Sequence, residues 1–252
     1  MSLRFVKTSV LLSALLWGIN PGSIQVVCAE ALKADSHTVA IDPGHQGPDI
    51  DMSDLEPLGP GSSEMKAKAS TGTWGAYSGL GEYQLNLDVS LKLEQELIDR
   101  GYTTVLTRRD NDTAISNKER AEYAAEQGAE IYVRIHANGA ESSAASGALT
   151  ISPSSSNPYV ASLYEKSNLL SQCILDSYCQ TTGFDNRGVT YADNMTGINW
   201  STLPVTILEM GFMTNEQDDL KMSDPDFQDT MVAGIADGID SYFESVRKDV
   251  KN

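Results

Sequence analysis

The sequence predicts an α/β fold: a single domain built on an open, mostly parallel or mixed twisted sheet with helices on both faces. Two observations carry this. Short runs rich in Val, Ile and Thr alternate along the chain with stretches of helical periodicity, and strands separated by helical crossovers are the pattern of a largely parallel sheet. Breakers fall between them where elements must end. The 252 residues, 40% of them apolar, are enough to bury one sizeable core.

The first segment reads as a signal peptide, residues 1–29, rather than part of the fold. Arg4 and Lys7 precede the apolar run Val10–Trp17, and Val27-Cys28-Ala29 supplies small residues before a cut near Glu30. The run is too short for a permanent membrane span, so no stable insertion is expected once it is removed. The domain proper is then 30–252. Thr38–Asp42 is its first strand, broken by Pro43-Gly44 before His45. Residues 46–81 hold many Gly, Pro, Ser and Thr with no sustained period, and read as a long loop. From Glu82 to Arg100, Leu85, Val89, Leu93 and Leu97 recur every four residues, and Gly101 ends that helix.

Thr103–Thr107 is the next strand. Ser116-Asn-Lys-Glu119 is a capping box that opens a helix running to Gln127. Ile131–Ile135 is a strand ending at His136, and Ala148–Ser152 is another. Pro158 to about Gln180 reads as a helix, Val189–Ala192 as a weak strand, and Pro204–Leu208 as a strong one leading into Glu209. Asp224 caps the last helix, with Pro225 in its first position. Cys173 and Cys179 lie six apart on the 158–180 helix and so face different ways; two thiols are expected, not a disulfide.

Charge narrows the function. The formal net charge is -17, and residues 1–29 carry two basic and no acidic residues, so the remainder is more acidic still. Such a surface disfavours nucleic acid and anionic lipid as partners.

Chemistry concentrates where strands end. His45 and His136 both follow apolar strand runs, and in open α/β sheets reactive groups gather beyond the carboxyl ends of the strands. Glu209 reaches the same rim. Glu82 sits three residues before Leu85, on the core-facing side of its helix, where a carboxylate needs a partner and a metal cation would compensate it better than the helix N-terminus. Asn86, one turn on, is placed to orient it. Two His and one Glu suit Zn2+ and leave a position for water, while a second carboxylate, Glu209, would move the proton. His37 precedes its strand and reads as a surface residue.

These residues form a pattern that resembles the type 3 N-acetylmuramoyl-L-alanine amidases. Val39-Ala-Ile-Asp-Pro-Gly-His45 is similar to the family's first zinc motif, Gly81-Glu82 with Asn86 and Leu87 to its second, and Ile135-His136-Ala-Asn138 to its third. Leu106-Thr-Arg108 and Arg120 match the connecting strand and helix, and Leu208-Glu-Met-Gly-Phe-Met-Thr-Asn215 resembles the motif of the catalytic Glu. The resemblance implies that His45, Glu82 and His136 hold zinc and that Glu209 is the catalytic base. It implies hydrolysis of the amide between N-acetylmuramic acid and L-alanine in peptidoglycan, by a secreted enzyme acting on the cell wall. The 46–81 stretch is longer than in many relatives, which makes Glu64 a rival to Glu82 as third ligand. Arg134 stands where relatives often have Ser. It shares a strand face with His136, and could meet a substrate carboxylate or, the favoured reading, a structural one. Two other functions fit parts of the pattern: a zinc carboxypeptidase acting on stem peptides, and a non-catalytic wall-binding protein.

Overall fold

A computed structural model describes residues 37–250; the predicted signal peptide lies outside them. Its main sheet has six strands: β1 (Thr38–Pro43), β4 (Thr103–Leu106), β5 (Ile131–Asn138), β6 (Ala148–Ser152), β7 (Asn186–Tyr191) and β8 (Val205–Phe212). They lie in the order β4-β1-β5-β8-β6-β7. The first four in that order are mutually parallel; β6 runs antiparallel to β8 and parallel to β7, so the sheet is mixed. The chain steps from β1 to one side to form β4 and then returns to the other side to form β5. The space beyond the carboxyl ends of β1 and β5 is therefore a topological switch point.

Period-two alternation sends side chains to two cores. Val39, Ile41, Ile131, Val133, Ile135 and Leu208 pack under three long helices, α1 (Glu82–Asp99), α3 (Tyr164–Thr182) and α6 (Pro225–Val250). Ala40, Tyr132, Val205 and Ile207 face the other way, against α2 (Asn117–Glu126) and the one-turn helix α4 (Thr196–Asn199). Leu85, Val89, Leu93 and Leu97 are all fully buried, as their spacing predicts. The capping box at Ser116 is complete: its hydroxyl accepts from the Glu119 amide, and the Glu119 carboxylate accepts from the Ser116 amide.

Several elements differ from the sequence reading, the one-turn helix α4 among them. The 46–81 segment contains a small antiparallel ribbon, β2 (Leu55–Pro57) with β3 (Met65–Ala67). Three-residue strands are too short to register an alternation. A helix, α5 (Glu216–Ser223), follows Asn215, whose side chain accepts from the amides of Gln217 and Asp218. Strands β5 and β8 also run past the predicted ends, so His136 and Glu209 lie within strands rather than after them. Cys173 and Cys179 are free thiols on α3. Among the described residues, no helix is long and apolar enough to cross a membrane.

Candidate metal centre

The three predicted ligands converge at the switch point. Glu82 Oε1 lies 3.0 Å from His45 Nε2 and 3.2 Å from His136 Nδ1, and the two imidazole nitrogens are 3.2 Å apart. Each comes from a different part of the chain. His45 follows β1 in a left-handed backbone conformation (φ 63°), Glu82 opens α1, and His136 stands near the end of β5. The register between β5 and β8 shifts between His136 and Asn138, an irregularity that re-aims side chains at a strand end. Glu64, the rival third ligand, is exposed just before β3 and takes no part in the cluster. His37 pairs with Glu130 at 2.9 Å and stacks on Phe243, apart from the other two histidines.

Two of the three, His45 and Glu82, are also held by neighbours outside the cluster. His45 Nδ1 meets the Ser70 carbonyl and hydroxyl oxygens, both at 3.1 Å. Glu82 Oε2 accepts from the Thr73 amide at 2.9 Å, and Oε1 from the Ala137 amide at 3.1 Å and the Asn86 side chain at 3.3 Å. Asn86 thus has the orienting position expected of it. Two glycines make the close approach possible. A Cβ at Gly44 would lie 2.3 Å from the His136 ring, and one at Gly72 (φ +80°) would lie 2.4 Å from Glu82 Oε2.

The donor set fits a cation. The Ser70 carbonyl can only accept, so the neutral His45 carries its proton on Nδ1 and presents a bare lone pair at Nε2. That lone pair faces a carboxylate oxygen with no proton to share, an arrangement that a positive ion between them reconciles. Burial pushes His136 down to about 4, against the pull of Glu82, so its imidazole is neutral and able to ligate at neutral pH. Burial alone would raise the Glu82 carboxyl, but the adjoining His136 and His45 rings more than offset it and hold it well below the usual carboxylate range.

Glu209 is the direct register partner of His136 across the β5–β8 pair, on the same sheet face, and lines the same cleft. Burial and the Glu82 charge push it up to about 8, against the opposing influence of Arg134. The cleft, about 530 Å³, also carries Asn138 and Thr214, which the sequence motifs contained without a role, and Thr73 and Glu141, which sequence reasoning did not single out. Asn138 closes β5, while the other three come from loops whose convergence only the fold defines.

Beneath the cluster lies a buried ionic network. Asp42, fully buried, accepts from Arg120 at 2.7 Å, from Arg134 at 2.7 Å, from the Tyr132 hydroxyl at 2.9 Å and from Thr107. Arg134 also donates to Asn117 at 2.7 Å, so the structural reading of Arg134 holds and its guanidinium is occupied. Burial disfavours the Asp42 charge, yet Arg120 and Arg134 hold its carboxyl well below the ordinary value.

An open α/β domain with a His–Glu–His cup at its switch point, able to take a metal ion, and a second carboxylate on the adjoining strand defines a hydrolase-like class of protein. The chain belongs to the N-acetylmuramoyl-L-alanine amidase family (Amidase_3), whose sequence profile matches residues 39–241. It is 32% identical over 168 residues to the N-acetylmuramoyl-L-alanine amidase LytC of Bacillus subtilis, a match covering 66% of this chain and 32% of LytC. It is 30% identical to YqiI of the same organism, over 86% of this chain and 90% of YqiI. Among solved structures, the catalytic domain of the amidase CwlV from Paenibacillus polymyxa var. colistinus superposes with a TM-score of 0.66 at 29% identity, covering 82% of this chain and 98% of that one. Ami1 of Mycobacterium smegmatis shares the fold, with a TM-score of 0.75 at 23% identity over 83% of this chain and 97% of that chain.

Proposed function

We propose that the chain is a zinc-dependent enzyme that hydrolyses the amide joining the lactyl group of N-acetylmuramic acid to the L-alanine of the peptidoglycan stem. The supporting observation is the meeting of His45 Nε2, Glu82 Oε1 and His136 Nδ1 within 3.2 Å of one another, beside the carboxylate of Glu209. The family profile, and relatives that carry this activity in their names, support the choice of bond.

His45, Glu82 and His136 would hold the ion, two neutral imidazoles and one carboxylate, which is a common donor set for catalytic zinc. Zinc, when bound, supplies Lewis acidity toward the lactyl carbonyl and makes water ionisable near neutral pH. The chain's own residues do the rest. Glu209 takes a proton from the attacking water and passes it to the departing alanine nitrogen. Thr73, Ala137 and Asn86 keep the Glu82 carboxylate aimed, and Ser70 fixes the tautomer of His45. Residues 1–29 would export the chain to the wall, where its substrate lies.

Glu209→Gln is the direct test. It should keep zinc, measured by elemental analysis, while hydrolysis of peptidoglycan falls about 10³-fold. Unchanged hydrolysis would remove Glu209 from the mechanism. Mass spectrometry of wild-type digests should find intact stem peptides with a free N-terminal alanine. Release of single D-alanine residues instead would make the chain a carboxypeptidase, and no release at all would leave wall binding.

A further inference from the structure

Two hollows meet at the histidine pair. The larger holds Glu82, Glu141 and Glu209. The smaller, about 280 Å³, lies on the ribbon side of His45 and His136 and is walled by Lys66, Ser70 and Asn117 together with Ala67 and Ala69, with no carboxylate among its lining. The two sides thus differ: Glu141 stands free on one and Lys66 on the other.

Lys66 is a free cation in a chain dominated by acids. It sits on β3, half-buried, and its ammonium donates to the Asn194 carbonyl at 2.8 Å. An ammonium has three protons, so two remain for a ligand. Nearby lysines are neutralised: Lys68 pairs with Asp54 and Lys118 with Glu122. Among the described residues, Lys66 forms no ion pair; Glu56, opposite it in the β2–β3 register, accepts instead from the Lys118 amide. Arg134, the other cation beneath this hollow, is taken up by Asp42 and Asn117.

The amide proposed as substrate has two arms of different charge. The glycan arm offers hydroxyls and an acetamide, which are neutral. The peptide arm carries carboxylates, the nearest being the α-carboxyl of the γ-linked glutamate that follows alanine. With the scissile carbonyl at the histidine pair, each hollow takes one arm. A carboxylate entering the larger hollow meets the acidic side chain of Glu141, whereas one entering the smaller hollow meets Lys66. Sugar hydroxyls, in turn, can donate to Glu141 and share hydrogen bonds with Thr73, Asn138 and Thr214.

We propose, resting on the amidase reading, that Lys66 is a specificity-determining residue that receives this stem carboxylate. The peptide arm then lies along ribbon β2–β3, and the glycan arm lies toward Asn138 and Thr214. The 46–81 segment accordingly forms one wall of the substrate groove.

The test compares two soluble muramyl peptides, identical except that the α-carboxyl of the γ-linked glutamate is free in one and amidated in the other. The zinc-loaded full chain should favour the free acid by about fivefold in kcat/KM, the size of a partly exposed ion pair. Lys66→Gln should bring the ratio close to one, and Lys66→Arg should restore most of it. A wild type with no preference, or a ratio unmoved by Lys66→Gln, overturns the proposal. So does an equal loss on both substrates, which would make Lys66 only a tether to Asn194. If the wild type cleaves neither substrate, the amidase reading fails separately. Calorimetric titration of the two free stem peptides into wild type and Lys66→Gln then decides on Lys66, with the same ratios expected in Kd and their absence counting against it.

Discussion

Asp42 shows how much of the centre depends on a residue that touches no ligand. Its carboxylate meets two guanidiniums, a phenol and a hydroxyl in a fully buried pocket at the end of β1, three residues before His45. Removing one partner from such a set leaves uncompensated charge behind, here on Arg120 and Arg134. Asp42→Asn should therefore lower unfolding stability by about 3–5 kcal/mol, read from urea midpoints. The pH dependence has a definite sign. Because the folded carboxyl is held below its ordinary value, its contribution is complete above the unfolded value near about 4 and is lost as pH falls through the folded one. Wild-type stability should decline over that acid range more steeply than that of Asp42→Asn. Parallel acid limbs would show that Asp42 carries no such linkage.

At the scale of elements, what could be read from the sequence divides along the length of the pattern. Helix α1 announces itself through Leu85, Val89, Leu93 and Leu97, and the strands under it through dense Val and Ile, because burial of a whole face imposes a period over many residues. The convergence of the candidate ligands was legible too, since His45, Glu82 and His136 stand at or near ends of such elements. Ribbon β2–β3 and helix α5 were not legible, for a physical reason: neither buries a face of its own long enough to leave a period, and each is held by contacts from far along the chain. Loop 72–82 illustrates this. Asp219 of α5 accepts from the Tyr77 amide, the Ser78 amide and the Ser78 hydroxyl, at 2.8, 2.8 and 2.6 Å, across some 140 residues. That clamp fixes the stretch whose Thr73 amide holds Glu82. Asp219→Ala leaves two amides unpaired in a part-buried site and should cost about 2–4 kcal/mol. Hydrogen exchange should quicken across 73–82, and zinc affinity should weaken with it. Unaltered exchange there would mean that the loop is held by its other contacts, such as Ala76 to Met213.

For the whole molecule, the consequence of the topology is that one ion would join three regions that are distant in sequence. His45 belongs to the end of β1, Glu82 to the start of α1 and His136 to β5, so the donors come together only when the switch point is formed. An unfolded chain offers no such cup, and a ligand that binds only the folded state stabilises it by RT ln(1 + [L]/Kd), about 2.7 kcal/mol at a hundredfold excess over Kd. Zinc should therefore raise the Tm of the whole domain, with an increment that grows with the logarithm of free zinc, and chelation should reverse it. The same scan separates binding from catalysis. His45→Ala should abolish the zinc-dependent rise, since it removes a donor, while Glu209→Gln should keep it and lose only hydrolysis. A Tm indifferent to zinc in the wild type would show that the cup does not bind the ion. A rise lost in Glu209→Gln would instead place that carboxylate among the ligands rather than beside them.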